Sequence, residues 1–200
     1  MEAILRAALV AHAALALSGC VWFAGYPEAW PPLNDAEPTE RSGCIAVGGI
    51  YDATGEYTPG WTGSQQVRLL HLLGGPQNPD LRHVVIHQTG DLIRIETEDA
   101  DGSGEAFRFN RERGEFHCDR HEIVLADRHE WRPSAGDDVI VGYSWRTATL
   151  AKDAQGRLLI RANYGAAGLV YLLIPIFYWQ GDWARFDPID PTRIGTPIRR

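Results

Sequence analysis

The chain has 200 residues, of which 44% are hydrophobic and 22% charged, with 26 acidic against 19 basic side chains and a formal charge of −7. Its arginines are dispersed among acids, so it lacks the basic face that nucleic-acid binding requires. The length suits one domain with a real core.

The first nineteen residues form a short head carrying Glu2 and Arg6, an apolar run from Ala7 to Leu17, and a small-residue exit at Ser18-Gly19. That is the layout of a secretory signal peptide. The run includes His12 and has about half of the ~20 apolar residues a membrane-crossing helix needs, so residues 1–19 are expected to be removed. Directly after it comes Leu17-Ser18-Gly19-Cys20, with a thiol where a simple secreted protein shows a small-x-small cleavage site. The stretch resembles the lipobox of bacterial lipoproteins. That resemblance implies a diacylglyceryl group on Cys20, cleavage ahead of it and acylation of the new amino terminus. Each buried CH₂ then contributes about 0.8 kcal/mol of anchoring, which for three chains is effectively permanent. Val21 follows the cysteine where an Asp favours inner-membrane retention in enterobacterial members, which implies the outer membrane, facing the periplasm. The resemblance covers residues 1–20, and the weakly basic head, where Glu2 offsets Arg6, departs from the family pattern. Loss of Glu2 together with Arg6 leaves the charge at −7.

Residues 20–43 read as a lipidated tether. Pro27, Pro31, Pro32 and Pro38 favour extended backbone, and Glu28, Asp35, Glu37 and Glu40 add self-repulsion. Trp22, Phe23, Tyr26 and Trp30 either settle at the lipid headgroups or dock on the domain. An exported chain meets an oxidising compartment. Cys44 and Cys118 are therefore either a disulfide, contributing ~4 kcal/mol in the chain-entropy model, or two buried thiols.

Cys44 to Tyr51 reads as the first strand, closed by a turn at Asp52-Ala53-Thr54-Gly55. A helix is predicted next: Thr62 and Gln65 make a capping box, Val67, Leu69, Leu70, Leu72 and Leu73 an apolar face, and Gly74-Gly75-Pro76 a stop. A meander follows. His83–Gln88 and Leu92–Thr97 flank a hairpin turn at Thr89-Gly90, and residues 99–104 turn again. Phe107 and Phe109 share one parity, residues 111–114 turn, Phe116 and Cys118 point inward, and Ile123 and Leu125 form a short strand. Val139 to Thr149 is the longest alternation, and residues 153–156 hand it to Leu158, Ile160 and Ala162. Tyr164–Gln180 is uncharged and reads as a strand buried on both faces, with a loop dipping into the bilayer as the alternative. Residues 182–186 close the fold. The expected class is mainly β: a single antiparallel meander barrel or sandwich of about eight or nine strands with one packed α-helix. The β domain covers residues 44–188 and a tail 189–200.

Chemistry-bearing patterns are weak. His83 and His87, like His117 and His121, recur at a spacing of four, which on a strand separates them by ~13 Å. A turn at Asp119-Arg120 gathering His117, Cys118 and His121 is the remaining way to a metal. Asp99, Asp101 and Gly102 imitate a calcium loop, but Thr97 and Arg108 stand where its first and twelfth ligands belong. Ser103 lies between glycines with no base nearby, and Gly48-Gly49 and Gly74-Gly75 lack the lysine or following helix of a phosphate loop. No cofactor or metal is expected. Phe107, Phe109, Tyr143 and Trp145 share the inward parity and either line a calyx for an apolar ligand or fill the barrel. The leading expectation is a lipid-anchored envelope protein with a non-enzymatic binding or interaction domain, its partners the membrane and an envelope protein. A lipocalin-like carrier of an apolar molecule and a metal- or Cys-dependent hydrolase are the alternatives.

Overall fold

The computed structural model describes residues 20–23, 25–34, 43–58, 66–75, 78–99, 102–119, 121–132, 140–170 and 174–193. In chain order the strands are β1 (Cys20–Phe23), β2 (Gly49–Asp52), β3 (Thr54–Tyr57), β4 (Gln66–Arg68), β5 (His83–Thr89), β6 (Leu92–Asp99) and β7 (Gly102–Asn110). They continue as β8 (Phe116–Asp119), β9 (Glu122–Leu125), β10 (Arg128–Arg132), β11 (Ile140–Lys152), β12 (Leu158–Val170) and β13 (Ile174–Phe186). One helical turn, α1 (Leu69–Leu72), follows β4. The fold is mainly β, with two sheets that do not close into a barrel, the sandwich form of the expectation. One sheet has nine strands, with the path β4-β3-β13-β12-β11-β9-β8 and with β1 on β13 and β10 on β11; the other runs β2-β5-β6-β7.

The chain divides into two compact units. The sandwich unit comprises Ala24–Ala126, Thr147–Ala162 and Asp182–Arg200; the hairpin unit comprises Met1–Phe23, Asp127–Arg146 and Asn163–Gly181. Long strands β11, β12 and β13 contribute to both.

The core of the sandwich unit follows from period-2 alternation. Ile93 and Ile95 are fully buried from the four-stranded sheet, as are Leu150, Leu158, Ile160 and Phe186 from the larger one. The Thr89-Gly90 hairpin forms as expected, with β5 and β6 in register from His83↔Glu98 to Thr89↔Leu92. Cys44 and Cys118 are joined in a disulfide, their Cα atoms 5.2 Å apart. The turn after β11 is built by Asp153, fully buried, which accepts hydrogen bonds from the backbone N–H of Gln155 (2.9 Å) and Arg157 (3.0 Å) and from Arg157 Nε (2.7 Å).

Four expectations are corrected. The long helix is replaced by strand β4 and a single turn, because Gln66–Arg68 find the open edge of β3 to pair with. Arg68 then caps the carbonyls of Leu81 and Pro79; Thr62 and Gln65, the expected capping box, lie outside the described residues. Cys44–Gly48 are not strand: the Gln88 amide donates to Ile45 O and accepts from Val47 N, taking the place of a ladder partner. The supposed turn at residues 52–55 is where the chain leaves one sheet for the other, pivoting on buried Ala53, whose N–H donates to Arg82 O while its carbonyl accepts from Leu69 N.

The fourth concerns the tether. Residues 25–34 pack on the sandwich unit: Trp30 is 8% exposed beneath the Arg185 guanidinium, and Tyr26 meets Trp183 edge-on. Leu33 bridges Asp153, and Ala154 N–H donates to Pro32 O. Of the two readings of these aromatics, docking on the domain holds for Tyr26 and Trp30. Burial raises the Tyr26 phenol above its ordinary pKa, helped by the carboxylate of Asp153. Residues 35–42 lie outside the described residues.

Candidate functional site: an aromatic hairpin

The uncharged stretch 164–180 is a hairpin, correcting the expectation of one buried strand: β12 runs to Val170 and β13 begins at Ile174. Residues 171–173 lie outside the described residues. Apolarity alone does not reveal a reversal, so the stretch reads as one strand.

Two local features shape the sheet here. A Cβ on Gly165 would come 2.1 Å from the Trp145 ring, so the indole lies against bare β12 backbone. Gly142 and Gly168 face one another so closely that a Cβ on either would meet the backbone of the opposite strand, at 2.3 Å and 2.5 Å. Glycine supplies the only side chain that fits.

Which residues share a face follows from the rings. Trp145 and Phe177 are 5.9 Å apart, and Trp145 covers Gly165. Alternation then puts Tyr143, Trp145, Ala167, Leu169, Phe177 and Trp179 on one face and Tyr164, Ala166, Ile176 and Tyr178 on the other. Tyr143 stacks on His129, with centroids 5.2 Å apart. On the second face the Arg146 guanidinium lies 4.6 Å from the Tyr164 ring centre. Burial, reinforced by the like charge of Arg146, lowers the Arg128 pKa.

An antiparallel sheet in water ordinarily keeps one polar face. Between Asn163 and Gly181 this hairpin has no charged residue on either. Among the described residues the large hydrophobic side chains that stand exposed are Tyr143 (40%), Leu169 (38%), Phe177 (42%), Tyr178 (42%) and Trp179 (39%), all in the hairpin unit. A clustered apolar surface of this kind marks an interaction site.

The other sequence-predicted residues fall elsewhere. Cys20 begins β1, which lies parallel to β13 with Cys20 opposite Tyr178 and Phe23 opposite Gly181. The proposed calyx residues are divided: Phe107 and Phe109 stack on each other in the sandwich unit, centroids 6.0 Å apart, whereas Tyr143 and Trp145 belong to the hairpin unit. With the sheets open, no barrel interior gathers all four. Cys118 is committed to its disulfide and cannot join His117 and His121 on a metal. Among the described residues no group of three or more His, Cys, Asp and Glu could hold a metal ion. His87 instead pairs across strands with Glu96 at 3.1 Å, and His83 lies opposite Glu98 in the same ladder. No described helix is long and apolar enough to cross a membrane.

Sequence reasoning missed Leu169, Phe177, Tyr178 and Trp179 as surface residues. The available signal was apolar side chains on both parities without a charge. No family model, curated protein or solved structure matches the chain.

Proposed function

We propose that this protein is a lipid-anchored component of the bacterial cell envelope, held at the periplasmic face of the outer membrane by acyl chains on Cys20, and that its β domain binds and does not catalyse. The observation that carries the reading is Leu17-Ser18-Gly19-Cys20 placed directly after an apolar leader. Two structural features support it. The Cys44–Cys118 disulfide suits an oxidising compartment outside the cytoplasm. The exposed aromatic sheet of the hairpin unit offers a binding surface, and surfaces of that chemistry serve association more readily than proton or group transfer.

The test is mass spectrometry of the native amino terminus together with detergent phase partition. The mature chain is expected to begin at acylated Cys20 and to enter the detergent phase, and Cys20→Ala to move it to the aqueous phase. A native product that begins at another residue, or that stays aqueous with Cys20 intact, overturns the assignment.

A further inference from the structure

The hairpin unit holds two features that are far apart in sequence and meet in strand register: the backbone of Cys20, where the anchor is proposed, and the exposed aromatic cluster. We infer that strands β12 and β13 form a lipid-docking element, with the end of β12 near Leu169 and the start of β13 near Ile174 inserted into the leaflet that holds the Cys20 acyl chains, and stopped by a collar of Phe177, Tyr178 and Trp179. The inference rests on the anchoring reading above and deepens it by naming what covers the apolar sheet.

Strand direction is the first support. Because β1 runs parallel to β13, Cys20 is the β1 residue nearest the start of β13 at Ile174, level with Tyr178. Acyl chains joined there hold the aromatic collar at the depth where they enter lipid. Tyrosine and tryptophan favour that headgroup level.

The second support is that both faces are apolar. A protein partner laid on a sheet covers one face and leaves the other in water. Here Leu169 and Phe177 are exposed on one side and Tyr178 on the other, so only an environment that surrounds the hairpin covers both. Lipid does so.

Length sets the depth. From Trp179 to Ile174 is five residues, about 16 Å at ~3.3 Å each, roughly half of the ~30 Å hydrocarbon core. The hairpin reaches into one leaflet and does not cross. Its edges agree with a shallow position. β12 is paired on both sides, but among the described residues β1 covers the outer edge of β13 only from Tyr178 to Gly181. Backbone groups beyond that edge need water or headgroups, since an unsatisfied one in hydrocarbon costs several kcal/mol. On the opposite side β10 brings Arg128 and Glu130 alongside Arg146 and Ser144 of β11, charges that belong among headgroups and keep that flank out of the core.

The experiment uses the acylated full-length protein in vesicles of phosphatidylethanolamine and phosphatidylglycerol. Cys20 is blocked by its acyl groups and Cys44 and Cys118 by their disulfide, so a thiol-reactive, polarity-sensitive dye labels only an introduced cysteine: Leu169→Cys, Tyr178→Cys or, as control on an exposed turn of the sandwich unit, Arg113→Cys. Dye at 169 and 178 is expected to shift its emission to shorter wavelength on reconstitution, with quenching by bromine on the lipid chains strongest at 169, and dye at 113 to show neither. If the protein is acylated and vesicle-bound yet dye at 169 and 178 behaves like dye at 113, the inference fails while anchoring stands. If mass spectrometry finds no acyl chain but dye at 169 still shifts when vesicles are added, docking stands and the anchoring assignment fails. A blue shift without vesicles that grows with protein concentration assigns the face to a second copy of the chain and overturns lipid docking.

Discussion

Leu158 and Leu169 occupy one strand, β12, and meet opposite surroundings: the first is fully buried in the sandwich unit, the second 38% exposed in the hairpin unit. In the sandwich unit apolar residues are matched by cover, as where Ile93 and Ile95 are fully buried while intervening Arg94 reaches Glu96 near the surface. In the hairpin unit β12 and β13 continue with apolar side chains on both faces, and Leu169, Phe177, Tyr178 and Trp179 stand exposed. The difference teaches that apolarity in a strand states a demand for cover and leaves open whether the chain itself supplies it. Where it does, the result is a core; where it does not, the surface is reserved for something else, here proposed to be lipid.

The contrast can be broken most forcefully at the covalent link. Replacing Cys44 and Cys118 with alanine removes a cross-link between positions 74 apart, expected to lower stability by ~4 kcal/mol in the chain-entropy model. Urea midpoints for the two proteins measure it, and an unchanged midpoint would mean the bridge contributes nothing to the sandwich unit. The next test makes the same substitution at both ends of β12. Leu158→Ala should cost about 3 kcal/mol, because it leaves a cavity in a packed interior, whereas Leu169→Ala should change stability by less than ~0.5 kcal/mol and instead weaken vesicle binding. Equal losses at the two positions would abolish the distinction between the units.

A smaller effect sharpens the sandwich side. Tyr51 is 1% exposed and donates to Val47 O at 2.8 Å, and burial pushes its phenol well above the ordinary 10.0. In the unfolded chain the phenol ionises near 10.0, so above that pH the folded state holds more protons. Tyr51 therefore stabilises fully below pH 10.0, and that contribution falls as pH rises further. Tyr51→Phe should cost about 1 kcal/mol at neutral pH through the lost hydrogen bond and flatten the alkaline decline. Urea midpoints followed from neutral to strongly alkaline pH test both, and an alkaline limb as steep as in the parent would assign it to other groups.

Much of the fold was legible where one residue type could satisfy only one environment. The β5–β6 hairpin, the turns after β7 and β11 and the pairing option for Cys44 and Cys118 follow from alternation, glycine positions and compartment. The helix over Thr62–Leu73 was misread because leucines at helical spacing also serve a strand and a single turn, and the choice was made by the open edge of β3. Part of the presumed tether proved to be a strap because a fold partner existed for Trp30. The candidate site was half legible: the lack of charge over residues 164–180 stood out, but the reversal between β12 and β13 did not.

From the sequence alone came the predominance of strands, the acidic charge that speaks against nucleic acid, and the expectation, by resemblance, of an export leader ending in a lipobox at Cys20. These are local properties, set by composition and by spacing over a few residues. Only the tertiary structure decided that Cys44 meets Cys118, that Cys20 stands beside Tyr178, and that Leu169 and Phe177 share an open face. The first two join positions 74 and 158 residues apart, the third depends on how β12 and β13 pair, and pairing follows from which edges and faces remain to be covered once the chain has packed.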